Sequence, residues 1–143
     1  MCKCLDKYGP LLGRILLTVI FILAGIGKIT DFSGNAAFMA TKGLPMVNVL
    51  LVLAIIVELG GSLLILVGWQ ARWGAAALFV FVIVVTLVIH PFWNFQGEAM
   101  MQNFINFFKN LAILGGLMYV MVHGSGPLSL GKDWCPGKCE GTS

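Results

Sequence analysis

MVNVLLVLAIIVELGGSLLILVG, residues 46–68, is the stretch that decides how this chain folds. It is apolar almost throughout and carries one carboxylate, Glu58, near its middle. At about 1.5 Å of rise per residue, such a helix crosses a bilayer core of roughly 30 Å. A charge at the centre of such a span costs at least a few kcal/mol, so Glu58 is expected to face the protein interior and to find a partner there. Ala54, Gly61 and Gly68 fall on or near the same helical face, where their small size lets another helix approach closely.

The composition agrees with a lipid environment. Apolar residues make up 59% of the 143 residues and charged residues 10%, against a charged share of about 25% in soluble domains; the mean hydropathy is +0.95. So few charges do not cover a water-facing surface. The net charge of +3 comes from lysines and arginines scattered singly, with no basic run to track a phosphate backbone, which excludes nucleic-acid binding as a function class. The first apolar run is long enough to span and lacks a small-x-small cleavage site, so it is expected to stay in the mature protein.

Outward from the central span, residues 1–10 form a polar leader, and Leu11 to Ile29 form the first span. Asp31 to Pro45 reads as a loop holding a short amphipathic helix at the headgroups, started by Thr30 or Asp31 and ended by Gly43. Trp69, Arg72 and Trp73 mark a membrane–water boundary. A third span follows from Gly74 to His90, and Phe92, Trp93 and Phe95 make a second interfacial belt. The Gln96 to Gln102 connection leads to a fourth span, roughly Asn103 to Val122, before a Gly-, Ser- and Pro-rich exit and a polar tail over 131–143.

Four spans put both termini on one side. Lys3, Lys7, Arg14, Arg72, Lys132 and Lys138 lie on that side and Lys28, Lys42 and Lys109 on the other, which predicts cytoplasmic termini. Lys28, Asp31, His90, Glu98, Asn106 and Lys109 then share the non-cytoplasmic half with the approach to Glu58, about 18 Å deep. The counter-charge to Glu58 is expected from this set or from Arg14. In the fourth span Gln102, Asn106, Lys109 and Ile113 form one stripe, expected to point into the bundle. The candidate pocket therefore comprises Arg14, Lys28, Glu58, His90, Asn106 and Lys109. The same residues equally suit buried ion pairs and hydrogen bonds that only fix packing, and His90 alone suits an ordinary helix end.

The cysteines sit at the two ends, Cys2 and Cys4 before the first span and Cys135 and Cys139 after the last. On one membrane face their thiolates could hold zinc, an iron–sulfur cluster or copper(I). Neither spacing has the two-residue gap of a zinc knuckle, and acylation or incidental cysteines remain alternatives.

Several motifs together carry a family likeness. Gly13-Arg14, the run Ala24-Gly25-Ile26-Gly27-Lys28, and Glu58-Leu59-Gly60-Gly61 resemble the DoxX family of small bacterial membrane proteins. So do His90-Pro91-Phe92-Trp93, Lys109-Asn110-Leu111-Ala112 with Gly115-Gly116, and Gly124 to Leu130. The likeness runs from about Leu12 to Leu130 and leaves out both cysteine-bearing ends. It implies a four-helix inner-membrane protein associated with thiosulfate:quinone oxidoreduction or with thiol and oxidative-stress systems, usually beside partner proteins. It implies no set of catalytic residues.

The expectation is thus an all-α bundle of four transmembrane helices with a DoxX-like domain over 11–130, in the bacterial inner membrane. Its function is expected to be that of a membrane component of a redox or thiol-stress system, with a quinone-like head group in the pocket around Glu58. A non-enzymatic assembly or stabilising subunit and a metal-handling protein using the terminal thiols are the alternatives. Beyond lipid, the expected partner is another protein or further copies of this chain.

Overall fold

The computed structural model describes residues 3–131. These form five α-helices: α1 (Lys3–Thr30), α2 (Phe32–Thr41), α3 (Val47–Val67), α4 (Ala71–Ile89) and α5 (Gly97–His123), with one 3₁₀ turn at Phe92–Asn94. α1, α3, α4 and α5 are each long and apolar enough to cross a membrane. Leucines, isoleucines and valines such as Leu16, Leu23, Leu53, Ile56, Val80 and Leu87 point outward along them. Lipid is the only solvent in which that surface is stable, so the chain is an integral membrane bundle.

The local sequence sets the helix ends. The Asp31 side chain accepts a hydrogen bond from the Gly34 backbone N–H at 3.1 Å and so caps α2. Lys42 and Gly43, with Gly43 at φ +73°, close that helix. α3 ends at Gly68, whose left-handed conformation (φ +74°) lets the Trp69 N–H reach the Leu64 carbonyl at 3.1 Å.

Three helices start earlier than expected. α1 begins at Lys3, so most of the polar leader is helical, with Asp6 in the first turn where a carboxylate complements the helix dipole. α4 begins at Ala71 and carries Arg72 and Trp73 in its first turn. α5 begins at Gly97 and not near Asn103, because Glu-Ala-Met-Met-Gln (98–102) is polar enough to read as a connection yet composed of strong helix formers. The interhelical link shrinks to Pro91–Gln96.

The bundle is an open row. α1 packs along α3, α3 along α4 and α4 along α5, whereas α5 scarcely touches α1. The row is tightest where glycines meet. A Cβ on Gly61 would lie 3.1 Å from the Gly74 carbonyl oxygen, and one on Gly74 would lie 2.8 Å from the Gly61 carbonyl oxygen and 2.9 Å from Leu64 Cβ. Two backbones in such contact leave a methyl group nowhere to go. Gly74→Ala is therefore expected to cost about 1–3 kcal/mol by forcing α3 and α4 apart. Gly60→Ala, where the new methyl meets nothing within 4 Å, should be neutral or slightly stabilising; thermal unfolding of both variants in detergent checks the contrast.

The apolar core, including Ile65, Ala71, Ala75, Leu78, Leu117 and Val120, gathers around the end of α3, the start of α4 and the end of α5. That is the half of the bundle nearest the start of α1 and the end of α5. The opposite half holds the chamber described next.

Candidate functional site

Glu58 lies inside the bundle, 5% exposed, near the middle of α3. Lys28 reaches it from the last turn of α1, and its Nζ lies 2.9 Å from both carboxylate oxygens. The helices come this close because α1 presents Gly25 to α3; a Cβ there would stand 2.7 Å from Leu59 Cγ. The Lys28 stem then runs back along the groove from its helix end toward Glu58. This is the single salt bridge among the described residues. An ammonium has three N–H donors, and the carboxylate engages two of its directions, so one donor and the second lone pairs of both oxygens remain for a further group.

Beside the pair lies a chamber of about 490 Å³. Leu50, Leu51, Ala54 and Val57 of α3 and Phe81, Val85 and Val88 of α4 wall it, and Asn35, Phe38 and Met39 of α2 cover it. The Asp31 cap and Asn35, whose Nδ2 donates to the Asp31 carbonyl at 2.7 Å, fix the first turn of α2. With Nδ2 so engaged, the Asn35 Oδ1 is the group free to accept. Apolar walls with a few polar groups converging at one end are the usual form of a site for a small amphiphilic molecule.

His90, the residue after α4, also lines the chamber. Its Nδ1 lies 3.1 Å from Asn103 Oδ1. Asn103 Nδ2 already donates to the Ala99 carbonyl at 2.8 Å, so the Asn103 oxygen accepts from His90 and the imidazole proton resides on Nδ1. In the neutral ring the His90 Nε2 is then the acceptor.

Lys28, Glu58 and His90 thus share one chamber, and the other three residues expected with them do not. Arg14, 2% exposed, donates from Nη2 to the Leu128 carbonyl at 2.8 Å and from Nη1 to the Ile65 carbonyl at 3.4 Å. It clamps the end of α3 to the chain leaving α5. Lys109 donates to Asn106 Oδ1 at 2.8 Å, three residues back on α5, and lines a separate groove between α1 and α5. The reason is rotational. Asn110, one position on, is the residue that turns inward, and its Nδ2 donates to Thr86 Oγ1 at 2.9 Å.

The α2 cover and the Asn110–Thr86 bridge were not foreseen from the sequence. Thr86 is the one hydroxyl in the β-branched run 82–89 and was the available signal; Asn35, four residues after the Asp31 cap, was the other. Of the terminal cysteines, Cys4 is exposed, and Cys2, Cys135 and Cys139 lie outside the described residues. Among the described residues no three His, Cys, Asp or Glu side chains gather as a metal site would require.

Comparison with known proteins places these residues in a family context. The family model described as DoxX matches residues 9–91, a span that includes Lys28, Glu58 and His90. The chain is 36% identical over 123 residues to the inner membrane protein YphA of Escherichia coli, covering 85% of this chain and 87% of that one. It is 37% identical over 136 residues to the inner membrane protein YqjF of the same organism, covering 92% and 99%. A more distant likeness, 28% identity over 125 residues, joins it to the surfeit locus protein 4 homolog of Schizosaccharomyces pombe, of which it spans 36%. No solved structure matches.

Proposed function

This chain belongs to the DoxX family of membrane proteins, and from that premise we propose that it serves in the inner membrane as the ligand-holding component of a redox or thiol-stress system, with its termini in the cytoplasm. The ligand is an apolar molecule with a quinone-like head. One observation carries this reading: a part-buried Lys28–Glu58 pair opens onto a chamber whose walls are mostly apolar.

The chemistry fits both forms of such a head. A quinone carbonyl accepts from the free N–H of Lys28, and a quinol hydroxyl donates to a free lone pair of Glu58. His90 Nε2, an acceptor in the tautomer fixed by Asn103, is a second proton-accepting position in the chamber wall. The walls of leucine, valine and phenylalanine suit the ring and the start of its tail. Lipid-facing helices supply the ligand from the bilayer itself, where such molecules dissolve.

The protein in nanodiscs, titrated with a short-tailed ubiquinone analogue and followed by quenching of tryptophan fluorescence, is expected to bind it saturably. Glu58→Gln keeps one hydrogen bond to Lys28 but loses the anionic acceptor, and is expected to weaken binding by about 10-fold, near 1.4 kcal/mol. Lys109→Met, outside the chamber, should bind as the parent does. The reading fails if binding is unsaturable, or if Glu58→Gln binds with the parent's affinity while unfolding at the parent's temperature.

A further inference from the structure

The residues that line the chamber divide by exposure. Glu58 is buried, and Lys28, Asn35 and His90 are half-buried. Those that line it and are also exposed are Phe38 of α2, Leu53 of α3, and Val84 and Val88 of α4, from 39% at Val88 to 53% at Val84. A side chain that belongs both to a cavity wall and to the outer surface stands at the mouth. The exposed rim of this chamber is therefore apolar, and each polar side chain of the lining is more enclosed than the rim.

The register of α3 on α4 sets the depth of that mouth. The two helices run antiparallel, and their backbones meet at Gly61 and Gly74. Leu53 lies eight residues before Gly61 and Val82 eight after Gly74, so Leu53 stands within about 3 Å of the level of Val84. Leu53 is six residues inside the start of α3 and Val84 five inside the end of α4, about 8 or 9 Å in each case. Helices of 21 and 19 residues match a hydrocarbon core of roughly 30 Å, so at that depth the mouth faces acyl chains.

We propose that the chamber loads sideways from the hydrocarbon core through the mouth framed by Phe38, Leu53, Val84 and Val88, and holds its ligand head inward on Lys28 and Glu58 with the chain trailing back out between Leu53 and Val84. The proposal rests on the chamber being a ligand site, and it narrows the ligand to a lipid-soluble molecule with one compact polar head and a hydrocarbon chain. Glu58 lies five residues deeper than Leu53, about 7.5 Å along α3. A chain leaving a head seated there has two ways to run. Toward the end of α4 it meets the imidazole of His90 and the headgroup level, whereas between Leu53 and Val84 it meets only apolar side chains and lipid. A water-soluble thiol would have to shed its hydration to pass an apolar rim, and is outside the class.

The test uses the full chain in nanodiscs and a ubiquinone analogue with a photoreactive diazirine within the first few carbons of its alkyl chain, the labelled residues being mapped by peptide mass spectrometry. Label is expected on Leu53, Val84 or Val88. It should fall by about 10-fold in Leu53→Phe/Val84→Phe, whose two rings overpack the mouth, and persist in Leu53→Ala/Val84→Ala. Both positions face lipid, and thermal unfolding verifies that both variants fold. Glu58→Gln and an excess of unlabelled analogue should each lower the same label, and an excess of glutathione should leave it unchanged. Label that depends on Glu58 but lands around Leu44 and His90, or that stays on the mouth undiminished in Leu53→Phe/Val84→Phe, overturns the sideways route and leaves the ligand reading standing. Displacement by glutathione shows a chamber open to water and overturns the route as well. Label that neither Glu58→Gln nor unlabelled analogue lowers removes the ligand site, and this proposal with it.

Discussion

Lys28→Met is expected to destabilise the protein by about 3–5 kcal/mol, and adding Glu58→Leu to it is expected to restore most of that loss. With Lys28 gone, Glu58 stays 5% exposed in the bundle with no cation, and the chamber beside it is walled by leucine, valine and phenylalanine. Removing the carboxylate as well leaves two apolar side chains in an apolar wall, a replacement that is often neutral for buried pairs. Glu58→Leu alone should cost less than Lys28→Met alone. Lys28 is 22% exposed at its side chain and lies in the last turn of α1, so an unpaired ammonium there can turn toward the surface. Unfolding in mixed micelles of the parent, both single variants and the double variant closes this cycle. Additive single effects, or a cost for Lys28→Met under about 1 kcal/mol, would remove the pair from any stabilising role. A double variant that is stable yet no longer binds the quinone analogue would separate the pair's structural effect from its effect on ligand.

Much of the bundle is legible in the sequence because lipid imposes the simplest of patterns. Long apolar runs and the Gly61 notch are each local in sequence, and each occupies the place its chemistry predicts. What local reading misses is rotation about helix axes. Lys28 and Arg14 are fourteen positions apart and share a similar face of α1, so either could be assigned to Glu58. The structure gives Glu58 to Lys28, because Gly25 draws that end of α1 onto Leu59. Arg14 sits at the other end, where the carbonyls of Ile65 and Leu128 converge. Lys109 differs for a related reason. Its stripe with Asn106 looked inward only under the assumption that a polar stripe has one possible audience, the bundle interior; an open row of helices also has an edge, and Lys109 lies on it. The α2 cover was hidden because no residue of that helix is buried, so no apolar stripe announced its packing.

Arg14→Met is expected to release the chain that follows α5 while leaving the rest of the bundle in place. The guanidinium spans two carbonyls from segments far apart in sequence, Ile65 in the last turn of α3 and Leu128 beyond α5. A cation at that point complements the negative end of the α3 dipole. It also holds Leu128 at φ +62°, a conformation that costs a residue with a Cβ of order 1–3 kcal/mol. Without the clamp, two carbonyls lose a charged donor, at about 1–3 kcal/mol each if they stay dry, and Leu128 is free to relax. The bonds from the Leu130 N–H to the Val67 carbonyl at 3.2 Å and from the Gly131 N–H to the Gly68 carbonyl at 2.9 Å are then backed only by Ser129, whose hydroxyl reaches the Gly126 and Gly131 carbonyls within the same segment. Hydrogen exchange at Leu130 and Gly131 should rise by at least 10-fold in Arg14→Met, with the amides around Leu78 and Leu117 unchanged. Arg14→Lys should behave like Arg14→Met, because one ammonium lacks the fork that bridges both oxygens. Parent-like protection of Leu130 and Gly131 in both variants would mean that backbone bonds alone hold this end of α3, and that the arginine is buried there for some other purpose.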